Sequence, residues 1–245
     1  MQITSIQIYR YSIPMVPFTI ATGTMDFAQN LLVIIHTDEG ITGYGECSAF
    51  PMIVGETQAT CYEMGKAFAA ILKHKDPLDI AARMQELDGF TARNYTAKSA
   101  FDIALHDIAA KRSNQPLYAF LGGNTRKIVS DLTIGIDSPS TMASQAIDFV
   151  NQGVETIKVK LGKAPSTDIE RIKAIRSAIG YDTTIRIDAN QGWSYEDAVS
   201  ALTALGAYQI EFCEQPMRTY NDELLPQLCT LSPLSLIHIS QGIVR

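Results

Sequence analysis

Lys158 and Lys160 stand one residue apart in Thr156-Ile157-Lys158-Val159-Lys160-Leu161. Read as a β-strand, the stretch puts both lysines on one face and Ile157, Val159 and Leu161 on the other. Desolvation and mutual repulsion both lower the pKa of paired ammonium groups. A lysine that loses its proton near neutral pH can act as a general base. Taken alone, K-x-K reads more simply as an edge strand with one wet face. Two later stretches change that balance. One is Arg186-Ile187-Asp188-Ala189-Asn190-Gln191-Gly192-Trp193, the other Glu211-Phe212-Cys213-Glu214-Gln215-Pro216. Asp188 and Glu214 are hard oxygen ligands suited to Mg2+, and Asn190 can support the metal's surroundings. A divalent ion beside a lysine base suits removal of a weakly acidic proton next to a carboxylate. The metal holds that carboxylate and neutralises the enediolate charge as it develops. For either acid alone, a helix N-cap or an ion pair with Arg186 is the plainer account. Their arrival on successive strand ends makes that account poor.

The elements that must position these groups follow a regular order. Ile3–Tyr11 reads as a strand, ended by Pro14 and Pro17. A loop at 17–29 follows, then strands over Asn30–Thr37 and Ile41–Cys47 joined by the turn Asp38-Glu39-Gly40. The loop 49–55 is apolar for a connection. Helices are expected over Glu56–His74, Asp79–Asp88 and Tyr95–Lys111, the last with Ala100, Ile103, Ala104 and Ile108 inward. This is an α+β domain, residues 1–127. From residue 128 to 233, strand–helix units repeat. Strands at Asp131–Ile136, Glu155–Leu161, Thr183–Asp188 and Tyr208–Cys213 each precede a helix. The pattern calls for a parallel sheet and suits the first half of a (β/α) TIM-type barrel, an α/β fold. In such barrels chemistry gathers at the C-terminal strand ends. No glycine-rich phosphate loop follows any strand.

The chain has 245 residues, 46% of them hydrophobic, and a net charge of −6 without a basic run. A nucleic-acid partner is not expected. Cys47, Cys61, Cys213 and Cys229 form no C-x-x-C pair. A reduced, cytoplasmic setting is the simplest expectation. No signal peptide or membrane span is expected.

The K-V-K, R-I-D-A-N-Q-G-W and E-Q-P motifs together resemble the enolase superfamily. Within it they match the mandelate racemase/muconate lactonizing enzyme family that uses a lysine pair with Mg2+. The resemblance implies that the N-terminal α+β part is a capping domain. It also implies Lys160 as the acid/base lysine, Lys158 as its electrostatic neighbour, and Asp188 and Glu214 as metal ligands. The loop Phe18–Thr24 and the stretch Gly45–Pro51 with Gly55-Glu56-Thr57 look like those of dipeptide epimerases. Phe18, Ile53 and Thr133 are the expected substrate-binding residues. Residues 11–30 contain no Lys or Arg, so an apolar dipeptide suits this site better than Ala-Glu. Muconate cycloisomerase and o-succinylbenzoate synthase share the motifs and are the rival readings. A homo-oligomer is expected for the full-length protein.

The chain also departs from the family's pattern. From Asp131 only 115 residues remain, against about 250 in a complete barrel. The family's third acidic ligand and its opposing lysine have no match after Pro233. A C-terminally truncated, inactive or non-catalytic fragment is therefore expected. Residues 234–245, containing Leu234-Ser235-Leu236-Ile237-His238-Ile239-Ser240, read as a foreign tail. The competing view makes them a divergent fifth strand.

Overall fold

The structure, a computed structural model, describes residues 1–237. His238 and residues 239–245, part of the expected foreign tail, lie outside them. Contacts divide the chain into two units. The first comprises Met1–Val16 and Asp26–Lys127; the second takes Pro17–Met25 together with the chain from Ile128 onward.

The first unit is built on a sheet of order β1-β2-β3, with β1 Ile3–Ile20, β2 Gly23–Thr37 and β3 Thr42–Ser48. Pro14 and Pro17 do not end β1 as expected. The strand lies at the sheet edge, where proline's missing N–H breaks no ladder. The expected 17–29 loop is instead the tip of the β1–β2 hairpin. The apolar loop forms a short helix, α1 Pro51–Val54. Then come α2 Gln58–Leu72, α3 Ile80–Phe90, α4 Tyr95–Arg112 and α5 Leu117–Phe120. Thr57 starts α2 with a reciprocal capping box, which satisfies two otherwise orphaned backbone donors. Ala97, Ala100, Phe101, Ala104, Leu105 and Ile108 of α4 are buried with Leu31, Val33 and Ile35 of β2. Ile103, expected inward, is 41% exposed, because the helical period places it outside the arc that carries those residues.

The small residues of α4 meet glycines of β3 at very short range. A Cβ added to Gly45 would stand 1.8 Å from the Ala100 carbonyl oxygen. Helix α4 also satisfies the free edge of β3. The Tyr44 N–H donates to Asp107 Oδ2 at 2.9 Å, and Lys111 Nζ donates to the Thr42 carbonyl at 2.8 Å. An edge covered this way cannot recruit another strand. Gly45→Ala is expected to cost about 3 kcal/mol by overpacking. Urea unfolding would show it, and unchanged stability would contradict this close approach.

The second unit holds a parallel sheet of order β4-β5-β6-β7-β8. Its elements alternate: β4 Leu132–Ile134, α6 Pro139–Asn151, β5 Thr156–Lys160, α7 Pro165–Ile179, β6 Thr184–Asp188, α8 Tyr195–Leu205, β7 Ile210–Glu214, α9 Leu225–Leu231 and β8 Ser235–Ile237. Strand β4 is shorter than the expected 131–136. Ile157, Val159, Leu161, Ile185, Ile187 and Cys213 pack on Met142, Ile172, Ile175 and Leu202 of the helices. Period-two alternation then turns Lys158, Lys160, Arg186 and Asp188 to the opposite face. A barrel that stopped after β7 would leave that strand with an open edge. Instead, Phe212, Cys213 and Glu214 pair with Ser235, Leu236 and Ile237 of β8. Partly buried Leu236 packs on the core as the next strand's apolar residue would. Among the described residues no helix is long and apolar enough to cross a membrane.

Candidate active site

Parallel register lines up the chemistry. Thr133 on β4 pairs with Lys158, and Lys158 with Arg186. One dipeptide further along, Lys160 pairs with Asp188, Asp188 with Glu214, and Glu214 with Ile237. The ladder continues beyond the strands. Leu161 N–H donates to Asp188 O, Ala189 N–H to Glu214 O, Gln191 N–H to Gln215 O and Gln215 N–H to Ile237 O, all within 3.0 Å. This ladder holds Asn190, Gln191 and Gln215 at φ of 44°, 63° and 45°. Non-glycine residues there cost on the order of 1 kcal/mol each and persist where their surroundings over-determine them. Such strain at the ends of both acid-bearing strands marks the place where side chains are aimed.

Four side chains converge. Lys160 Nζ lies 2.6 Å from Asp188 Oδ2. Lys158 Nζ lies 3.0 Å from the same oxygen and 2.6 Å from Glu214 Oε2. Asp188 is 1% exposed, and its Oδ1 accepts the Asn190 N–H at 2.8 Å. Burial pushes the Asp188 carboxyl upward, but the charge and hydrogen bond of Lys160, then Lys158 and the Asn190 N–H, hold it below its ordinary value. Burial likewise works to lower the Lys158 amine, but hydrogen bonds and charges from Glu214 and Asp188 raise it on balance. That reverses the direction expected from burial and repulsion alone, because Lys158 sits between two carboxylates, one of them shared with Lys160. Arg186 does not neutralise Asp188. Its guanidinium goes to Glu211 at 2.6 Å and Asp131 at 3.0 Å.

The donor set is one of hard oxygens. Among the described residues, no group of three or more His, Cys, Asp or Glu gathers to hold a metal. Asn190 Oδ1, however, is buried without a hydrogen-bond partner. Two carboxylates plus an orphaned amide oxygen suit Mg2+, which commonly binds through one or two carboxylates and keeps several waters.

The remaining expected residues fall in different places. Phe18 belongs to the second unit, where its Cδ2 would stand 3.2 Å from a Cβ on Gly135. There Ile136 N–H donates to Thr19 O, and Lys163 Nζ to Ala21 O. Ile53 lies on α1 in the first unit and is 40% exposed. Sequence reasoning missed Asp168, a fully buried carboxylate. Its Oδ2 accepts the Gly162 and Lys163 N–H groups and Trp193 Nε1, and its Oδ1 accepts from Arg171. Its only sequence signal is an Asp three residues before an Arg on a helix, which ordinarily marks a solvated pair.

Comparison with known proteins agrees with this architecture. Residues 3–122 match the mandelate racemase/muconate lactonizing enzyme N-terminal domain, and residues 141–238 match the enolase C-terminal domain-like family. A D-Ala-D/L-Ala epimerase of Cytophaga hutchinsonii is 43% identical over 230 residues, 93% of this chain and 62% of that protein. The crystal structure of a dipeptide epimerase from Cytophaga hutchinsonii, complexed with Mg and D-Ala-L-Val, matches with a TM-score of 0.94 at 41% identity. It covers 97% of this chain and 65% of that one. A dipeptide epimerase from Enterococcus faecalis V583, complexed with Mg and L-Leu-L-Tyr, matches at 0.93 and 37% identity, over 97% and 68%. The chain thus spans about two thirds of the length of these relatives. It pairs a three-stranded antiparallel α+β domain with part of a (β/α) barrel, and it belongs to the mandelate racemase/muconate lactonizing enzyme family of the enolase superfamily.

Proposed function

We propose that this chain carries the Lys160 half of a Mg2+-dependent epimerase that inverts an α-carbon of an apolar dipeptide. The observation that carries the reading is the convergence of both lysine amines on Asp188 Oδ2, at 3.0 and 2.6 Å, beside Glu214. Asp188 and Glu214 would hold the ion, with Asn190 supporting them. When bound, Mg2+ supplies positive charge opposite the carboxylate of the substrate. Lys160 takes the proton from the α-carbon. Lys158 keeps a fixed positive charge beside it. Thr133, in register with Lys158, lies on the substrate side of the sheet, and Phe18 supplies apolar surface at the hairpin tip. Ile53, exposed on α1, is assigned the same binding role from its apolar character.

The absence of Lys and Arg from residues 11–30 favours an apolar over an acidic side chain. The two similar epimerases whose structures contain D-Ala-L-Val and L-Leu-L-Tyr support the same choice. For the full-length protein, the expected result is Mg2+-dependent wash-in of deuterium at the α-carbon of apolar dipeptides, followed by proton NMR, whereas the 245-residue chain alone is expected to show no turnover. Chelation should abolish the wash-in, and L-Ala-L-Glu should react more slowly. Exchange that persists without a divalent ion, or that prefers the acidic dipeptide, would sink the corresponding half of the reading.

A further inference from the structure

We propose that Asp168 is a positioning residue. Its buried carboxylate clamps the loop after Lys160 to the loop after Asp188, and so holds the Lys160 amine at the Asp188 carboxylate. An acid in the first turn of a helix usually faces water and complements the helix dipole. Asp168 is instead 0% exposed. Its Oδ2 takes the Gly162 N–H at 3.0 Å and the Lys163 N–H at 2.9 Å, both just beyond Lys160. The same oxygen takes Trp193 Nε1 at 2.9 Å, from the loop beyond Asp188. Arg171 balances the charge through Oδ1 at 2.7 Å, and its own Nε reaches the Asp137 carbonyl at 2.8 Å. One oxygen therefore bridges two loops that each begin at a site residue.

The loops leave no slack for an alternative arrangement. Gly162 sits at φ +99°, and a Cβ there would stand 2.0 Å from Ala189 O; a Cβ on Gly192 would stand 2.1 Å from Gly162 O. Backbone touches backbone, with the carboxylate closing one side. On the other side, Leu161 N–H is bonded to Asp188 O at 2.9 Å. Lys160 is two residues from Gly162, so displacement of this loop is transmitted directly to its strand end.

The test is peptide-resolved acetylation of the whole chain, comparing the unsubstituted protein with Asp168→Asn. Asparagine keeps the shape but cannot serve both the three N–H donors and Arg171. Lys66, with its side chain 51% exposed, sets the reference rate. Cys213, fully buried in β7, is alkylated in parallel to report any general opening of the second unit. Lys160 should acetylate about fivefold faster relative to Lys66, the factor that one lost net hydrogen bond is worth, with Cys213 unchanged. If Asp168→Asn does not fold, Trp193→Phe decides, since it removes only the indole donor and should raise Lys160 labelling in the same direction. Unchanged Lys160 labelling, or Lys160 and Cys213 rising together, overturns the proposal. The link to catalysis rests on the proposed function. There, in the full-length protein, kcat for α-proton exchange should fall with KM unchanged, and an unchanged kcat overturns that link. An unsubstituted full-length protein that exchanges no α-proton sinks the proposed function while leaving the labelling result standing.

Discussion

In the full-length protein, Lys160→Ala is expected to lower α-proton exchange by about 10^2 to 10^4-fold, the usual contribution of a positioned general base. The loss should be confined to the substrate enantiomer whose α-proton faces β5. Lys160→Arg should fail similarly: the guanidinium keeps the positive charge at Asp188 but does not give up a proton in this pH range. The comparison separates a base from an electrostatic partner. Lys158→Arg keeps a cation between Asp188 and Glu214 and should retain more exchange than either Lys160 variant. Deuterium wash-in of each dipeptide enantiomer, read by NMR, measures all three. Undiminished exchange of both enantiomers by Lys160→Ala would remove this residue from the chemistry.

Asp188→Asn is expected to lower stability by about 3 kcal/mol, because removing one partner strands buried charge. Asp188 Oδ2 is shared by two ammonium groups at 2.6 and 3.0 Å, and an amide offers neither the charge nor a second acceptor. The loss should depend on pH. The folded-state pKa of Asp188 is depressed below its ordinary 3.8. Its stabilisation is therefore present above that value and fades as pH falls through the lower folded one. Lys158 is raised above its ordinary 10.5. Its stabilisation is present below 10.5 and fades as pH rises through the higher folded value. The gap between the parent and Asp188→Asn should thus be widest across the neutral range and shrink toward both extremes. Urea unfolding of both proteins in acid, neutral and alkaline buffer measures the gap. A gap that does not change with pH would show that these ion pairs do not stabilise the fold.

Much of this was legible in the chain because side-chain alternation depends only on local geometry. Lys158 with Lys160 against Ile157 with Val159 defines a strand with two unlike faces, whatever surrounds it. Repetition of strand and helix then implies parallel neighbours, and parallel register brings Asp188 and Glu214 level with Lys160. The α+β start, the α/β continuation and the family were readable on that basis. Other features depended on contacts between distant segments. Pro17 stays within β1 because the strand lies on an edge, a fact of sheet order rather than of residue type. Ser235–Ile237 forms a strand because β7 offers it a partner. The direction of the Lys158 shift was misjudged because the sequence shows two neighbouring ammonium groups but not the two carboxylates that flank Lys158. Asp168 was invisible for the same reason: its role comes from N–H groups of Gly162, Lys163 and Trp193, drawn from two loops. Sequence alone determined which side chains share a strand face, because that follows from the backbone period. Only tertiary structure decided which charges they meet there, because hydrogen bonds and desolvation depend on what the rest of the chain brings within reach.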